Sequence, residues 1–456
     1  MCMKKQTTIM FLILAVLIVL LGGVGGLLIL SAGDVNLLTN VSKSEEEIRT
    51  FADWTEAAVF QEVPAMEVEG TRIKEAEDYG SDVFLITVNG TELEHYKDYL
   101  KLLEKAGFNQ YVNNGENGLD EAVYTATYTK DNLVVTVSQV INLGVTYITA
   151  AQNEALSEHL FYDESYVANN KENAQTTLTM LELYDYGNGF VFQLKNGHFV
   201  VFDGGMAEDA PNLLNYLESC TPEGEIPVIE GWFFSHGHLD HAQILDYFAE
   251  EPENAKRIYV DGIYFNQANS LVSSTYDKSA ASVEDGINFA PYYFTTSDGN
   301  RPKIYRTQIG QRYYFNDLTM DVLFTQEQMV LDNYLEGYNA SSTWLMVELE
   351  GQKLLFGADG GRGAMQRVIR IYSQRYLEAD VFQALHHSSD TWNLFTDYAK
   401  CKTVLVPRRE LKDSEANKYL IALSDEYYDW SKGSVVMTFP YVVGTAKILP
   451  KIWPVN

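Results

Sequence analysis

The first strong pattern is an uncharged apolar run, Ile9 to Leu30, of 22 residues. As a helix rising about 1.5 Å per residue it is about 33 Å long, enough for a bilayer core of about 30 Å. It exceeds the usual signal-peptide core of about 7–15 residues, and Leu30-Ser31-Ala32 is a poor cleavage site. Lys4 and Lys5 precede the run, whereas Asp34 and Glu45-Glu46-Glu47 follow it. The pattern predicts a single-pass signal anchor with the N-terminus in the cytoplasm and the rest outside. Gly22 and Gly26 share a small-x-x-x-small spacing that could pair two such helices into a homodimer. A merely glycine-rich apolar helix is the plainer reading.

Patterning is weak and acidic from residue 34 to about 80, which reads as a stalk with one short helix, Glu45 to Phe60. Then Val83 to Val88 is a strand-like run closed by Asn89-Gly90. Apolar positions at Leu93, Tyr96, Tyr99, Leu100, Leu103 and Ala106 follow at helical spacing, with Thr91 as the expected N-cap and Gly107 as the stop. Three β-like runs come next: Ala122–Tyr128, Leu133–Val140 and Val145–Ala150. Residues 81–150 thus predict a small α+β domain, and the polar stretch 151–175 a linker. From residue 176 to 456, strand-like runs ending in Gly or Asp alternate with helical ones, the mark of an α/β domain.

Composition narrows the function classes. The chain has 456 residues, 46% hydrophobic and 21% charged, which excludes a disordered chain. Lys and Arg number 33 against 63 Asp and Glu, a formal net charge of −30. That disfavours long nucleic acids as partners, because phosphate backbones are held mostly by Lys and Arg. Cys2, Cys220 and Cys401 are too far apart for a Cys-x-x-Cys site and are read as structural or neutral. The 30 Tyr could line a sugar or choline site, but surface and core placement accounts for them more simply.

The strongest chemical signal is Ser235-His236-Gly237-His238-Leu239-Asp240-His241, entered from the apolar run Trp232–Phe234 and left by a helical run from Gln243 to Phe248. Three of the chain's eight His and one Asp fall within six positions. In a loop, His236 and His238 can reach one metal while Asp240 and His241 reach a second. Imidazole with carboxylate suits Zn, with Mn or Fe as alternatives. His95, His159 and His198 read as surface residues. Arg362, Arg367, Arg370 and Arg375 read as a solvated helix face.

His-x-His-x-Asp-His resembles the signature of the metallo-β-lactamase fold superfamily. Phe199-Val200-Val201-Phe202-Asp203-Gly204-Gly205 is similar to that family's apolar strand ending in Asp. Lys353 to Gly360 is similar to the strand that delivers its metal-bridging Asp, here Asp359. Asp185-Tyr186-Gly187-Asn188-Gly189-Phe190, Asn339 to Leu345, and His386-His387-Ser388-Ser389 resemble the ComEC-like subgroup, which includes DNA-uptake proteins and phosphorylcholine esterases of cell-surface teichoic acids. The resemblance spans about residues 176–440. It implies an αββα sandwich of two mixed sheets, behind the anchor and the small domain. It implies one or two divalent metals, most simply Zn, held by His236, His238, Asp240, His241, Asp359 and His387. Asp203 would orient ligands, Asp240 would also orient the nucleophile, and His386 would face the substrate. Either of His386 and His387 could be the ligand.

One departure stands out. The family usually has another His ligand before the bridging Asp, and here Phe324 stands at the matching position, with no His between His241 and His386. The resemblance implies an extracytoplasmic, membrane-anchored metal-dependent hydrolase of a phosphodiester or related ester, using metal-activated water. Its substrate would be a small molecule or a cell-surface polymer. A catalytically weakened binding or sensor protein, or a ComEC-like nuclease, are the alternatives.

Overall fold

The computed structural model describes residues 60–69, 73–76, 83–163, 175–266, 277–325 and 338–453. The apolar run Ile9–Leu30, with Gly22 and Gly26, and nearly all of the expected helix Glu45–Phe60 lie outside them. Among the described residues no helix is long and apolar enough to cross a membrane.

The small unit is an antiparallel sheet, ordered Ile73–Ala76, Val83–Asn89, Val145–Gln152, Leu133–Val140, Val123–Lys130 and Asn109–Asn113. The helix Leu93–Lys105 buries Tyr96, Tyr99, Leu100 and Leu103. These meet Ile86, Val88, Val135, Val137 and Ile148, one face of a period-2 pattern. Thr91 does not cap this helix. Glu92 is the N-cap residue, and its N–H donates to His95 Nδ1 at 3.0 Å. The Thr91 hydroxyl instead accepts from Thr146 at 2.9 Å. The unit also reaches into the expected stalk: Phe60, Val63, Met66 and Val68 join its core, and Tyr99 donates to the Pro64 carbonyl.

The larger part is two stacked mixed sheets. Among the described residues the first runs Lys303–Tyr305, Gly262–Tyr264, Val228–Phe233, Phe199–Asp203, Gly189–Gln193, Thr177–Met180, Val435–Thr438 and Lys447–Ile448, with Tyr259–Val260 on the strand Val228–Phe233. The first four are parallel and the rest antiparallel. The second runs Arg312–Phe315, Leu318–Phe324, Trp344–Leu349, Gln352–Phe356, Val381–Gln383, Thr403–Leu405 and Glu426–Tyr428, parallel from Gln352–Phe356 onward. Phe190, Phe192 and Phe202 from the first sheet meet Phe356 from the second, edge to face at 5.1–6.0 Å. Helices Ala210–Ser219, Ile244–Glu250 and Lys278–Phe289 bury apolar residues in the first sheet's cluster. Helices Arg362–Ile371, Asn393–Ala399 and Glu415–Leu423 do so in the second's. This is the αββα layering expected from the sequence.

The expected solvated arginine face is only partly so, since Arg367 is buried. His159 and His198 are not plain surface residues either. His159 stacks on Phe315 at 4.2 Å, and His198 pairs with the buried Glu230 carboxylate at 2.8 Å.

The small unit packs a polar face on the sandwich. Thr125 and Ser138 hydroxyls both donate to the Ile309 carbonyl, at 2.8 and 3.0 Å. Asn114 donates to the Gly310 carbonyl at 3.1 Å and Asn142 to that of Ile371 at 2.6 Å. Gly310 has φ +85, and a Cβ there would collide with Thr125. A Gly310→Val change should therefore cost about 2–4 kcal/mol of stability through overpacking and backbone strain. Urea unfolding checks this, and an unchanged midpoint would contradict the tight seam.

Candidate metal centre

The site forms where parallel strands of both sheets end. The strand Phe199–Asp203 delivers Asp203, and Val228–Phe233 leads to Ser235 through His241. In the second sheet, Gln352–Phe356 leads to Asp359, and Val381–Gln383 leads to His386 and His387. Such ends open into loops whose side chains can converge from several strands. The turn carrying Asp359 lies flat on Trp344. Gly357 and Gly360 make that approach possible, since a Cβ at either would strike the indole.

Two groups of side chains converge. Asp240, His241, Asp359 and His387 form one, and His236, His238 and Asp359 the other, with ligand atoms in each group within 4.8 Å of one another. Asp359 belongs to both. His241 Nε2 and His387 Nε2 lie 3.1 and 3.2 Å from Asp359 Oδ1. His387 Nε2 is 3.0 Å from Asp240 Oδ2. In the other group His236 Nε2 and His238 Nδ1 approach to 3.1 Å. His241 Nε2, His387 Nε2 and Asp359 Oδ1 are buried without a hydrogen-bond partner. Buried polar atoms are ordinarily satisfied, so converging orphans of this kind fit a divalent cation.

The far sides of three of the four imidazoles are held, whereas His387 Nδ1 is buried without a hydrogen-bond partner. Buried Asp203 accepts from the Ser235 N–H at 2.7 Å, accepts the Ser235 hydroxyl at 2.8 Å, and meets His241 Nδ1 at 2.8 Å. That leaves His241 Nε2 facing the centre, as carboxylate–imidazole pairs do beside metals. Asp277 Oδ2 lies 3.4 Å from His238 Nε2, which leaves His238 Nδ1 for the centre. Ser235 and Ser342 hydroxyls flank His236 Nδ1 at 3.0 and 3.4 Å. Asn188, from the Asp185–Phe190 motif, reaches Asp203 at 3.4 Å.

A local turn sends His386 and His387 into different surroundings. Both have left-handed backbone, φ 48 and 49. The turn sends His387 inward and leaves His386 with a side chain 33% exposed. His386 Nδ1 meets Asp390 at 2.7 Å, and its Nε2 meets Asn339 at 3.1 Å and stands 3.7 Å from Asp359. Phe324 is fully buried beside Trp344 in an apolar cluster, at an irregularity of the strand Leu318–Phe324. It adds no donor, so the His236 group has three candidate ligands where the other has four.

Ser342 lies in the Asn339–Leu345 motif, whereas Asp277, Asp390 and Tyr338 carry no signal in the sequence. The Tyr338 ring lies 5.0 Å from that of His238, and its hydroxyl donates to buried Glu284.

No family model matches the chain, and no curated protein does. Solved structures do. The metallo-β-lactamase fold protein YhfI from Bacillus subtilis is 12% identical, with a TM-score of 0.37, over 58% of this chain and 99% of its own. The likeness is to the metallo-β-lactamase fold. A metallo-β-lactamase with a HARLDQ motif from Cronobacter sakazakii is 16% identical, with a TM-score of 0.28, over 50% of this chain and 78% of its own. The metallo-β-lactamase FIM-1 from Pseudomonas aeruginosa, in its mono-zinc form, is 11% identical, with a TM-score of 0.25, over 59% and 88%. All are distant, and the reading of the site rests on its own geometry.

The site's charges are strongly coupled. Burial and the neighbouring imidazoles hold His236 well below the usual histidine range, and the same causes lower His238. Burial also opposes charge on His241, but Asp359, Asp240 and Asp203 outweigh it and raise the group well above its usual value. The His387 imidazole is likewise opposed by burial and pushed up to about 9 by Asp359 and Asp240. Both shifts favour the protonated imidazoles, so a cation must compete with protons for the same nitrogens. Calorimetry in buffers of different ionisation enthalpy should show release of roughly two protons on binding at this group, with affinity rising with pH up to about 9. Binding without proton release would contradict the assignment.

Proposed function

We propose that this chain is a metal-dependent hydrolase of a phosphodiester or related ester, working outside the membrane that its N-terminal run would anchor it to. The observation that carries this reading is Asp359, shared by two converging imidazole groups, one of which buries His241 Nε2 and His387 Nε2 against Asp359 Oδ1 without a hydrogen-bond partner. The donor set of four imidazoles and two carboxylates fits one or two divalent ions, Zn first and Mn or Fe next. His236, His238 and Asp359 would hold one, and Asp240, His241, Asp359 and His387 the other. Such ions, once bound, lower the pKa of water and polarise a phosphoryl or carbonyl oxygen.

The chain's own residues divide the remaining work. Asp203 and Ser235 fix the His236 and His241 rings, so the centre need not reorganise during reaction. Asp240, 3.0 Å from His387, would orient the attacking water. His386, steadied by Asp390 and Asn339, presents Nε2 beside Asp359, within reach of a substrate oxygen. The substrate would be a small surface-exposed metabolite or a cell-surface polymer. The −30 charge keeps the nuclease reading secondary.

A binding or sensor role is favoured by one observation, the three-ligand His236 group beside the buried Phe324. The two readings separate by turnover. The full chain loaded with Zn or Mn should hydrolyse bis-(p-nitrophenyl) phosphate, and the Asp240→Ala His241→Ala variant should lose at least about 10²-fold. Turnover that survives the double change would reject the hydrolase site. Tight metal binding with no turnover on phosphodiesters or esters would favour the sensor.

A further inference from the structure

Arg408 lies beside the His387 turn at the rim of the centre. It follows the strand Thr403–Leu405 and forms an isolated bridge with Tyr186, so it joins the rims of both sheets. Its Nη1 donates to the His387 carbonyl at 3.2 Å. The half-buried guanidinium forms no ion pair among the described residues, although the chain holds 63 carboxylates. Tyr186 stands beside it, 43% exposed, its ring 5.6 Å from that of His387. A guanidinium has five donors in a planar fork. Here one donor goes to a backbone carbonyl, which supplies no counter-charge.

We infer that Arg408, flanked by Tyr186, is the specificity-determining group that pairs with a non-bridging phosphoryl oxygen, so that the site selects anionic phosphoesters over neutral carboxylic esters. This rests on the hydrolase reading and sharpens its substrate class. An unpaired, partly desolvated cation is costly, and an incoming phosphoryl oxygen relieves that cost through a charge-assisted bond. A neutral ester leaves the cation unpaired, which is how a site built for a charged partner rejects the analogue lacking it. Lysine has the charge without the planar fork and should only partly substitute.

The test uses the full chain loaded with zinc, alongside Arg408→Gln and Arg408→Lys. Bis-(p-nitrophenyl) phosphate and p-nitrophenyl acetate serve as substrates, and inorganic phosphate serves as the binding probe by calorimetry. Zinc content is measured for each protein. Arg408→Gln should raise KM for the diester about tenfold, with kcat changed less, and lower the diester-to-acetate ratio of kcat/KM about tenfold. Phosphate affinity should fall by a similar factor, and Arg408→Lys should recover part of it. Unchanged KM and unchanged phosphate affinity at full zinc content would overturn the inference. So would a loss of zinc whose remaining loaded fraction keeps the original KM, since Arg408 would then serve only to hold the His387 turn. If neither substrate turns over, the hydrolase reading fails, and the phosphate titration still decides for or against Arg408 as an anion site.

Discussion

The structure depends on burying ionisable groups together at the seam between two sheets. Asp203, Asp240, Asp359, His236, His241 and His387 are all nearly or fully buried. A lone buried charge would be prohibitive, and it is tolerated here because carboxylates and imidazoles alternate. Asp359 illustrates the balance. Burial would raise its carboxyl, yet His387 and His241 hold it well below the usual range. The fold around this cluster is consequently tied tightly. His241's carbonyl accepts from both Gly204 and Gly205, and Asp240's accepts from Asn188. Loops of the first sheet thus lock to the His-rich turn through backbone hydrogen bonds.

The two candidate cation groups differ in a way that follows from packing. The Asp240 group draws on both sheets and has four ligand side chains, while the His236 group has three. Phe324 occupies an apolar cluster with Trp344 and Leu385, so the second sheet contributes core packing where an extra imidazole would otherwise enter. Asp277 and Tyr338 close around His238 from the first sheet's helix and from the loop before Trp344. Geometry therefore assigns the two positions unequal ligand fields.

Much of this was legible in the sequence because it is local. The run Ser235 to His241 lies on one loop, and strands such as Leu133–Val140 carry their own period and turns. Non-local features were not legible. Asp390 helps His386 only because a left-handed turn swings the ring toward it. Arg408 meets Tyr186 across a gap of more than two hundred residues, through a bridge between two sheets. Thr91 has the chemistry of an N-cap, yet a tertiary partner, Thr146, takes its hydroxyl and Glu92 becomes the cap. His159 and His198 stand outside both metal groups, against a stacked ring and a buried carboxylate. The charge of −30 points away from polyanions, whereas Arg408 beside the His387 turn, without an ion pair among the described residues, is visible only in three dimensions.

The central claim is that Asp359 is shared by two cation positions at this seam. Anomalous diffraction at the zinc edge from crystals of zinc-loaded protein tests it most directly. The stronger peak should lie within about 2.0–2.2 Å of Asp240, His241, Asp359 and His387 atoms, and any second peak against His236, His238 and the same Asp359. Zinc bound elsewhere, or none within reach of Asp359, would contradict it.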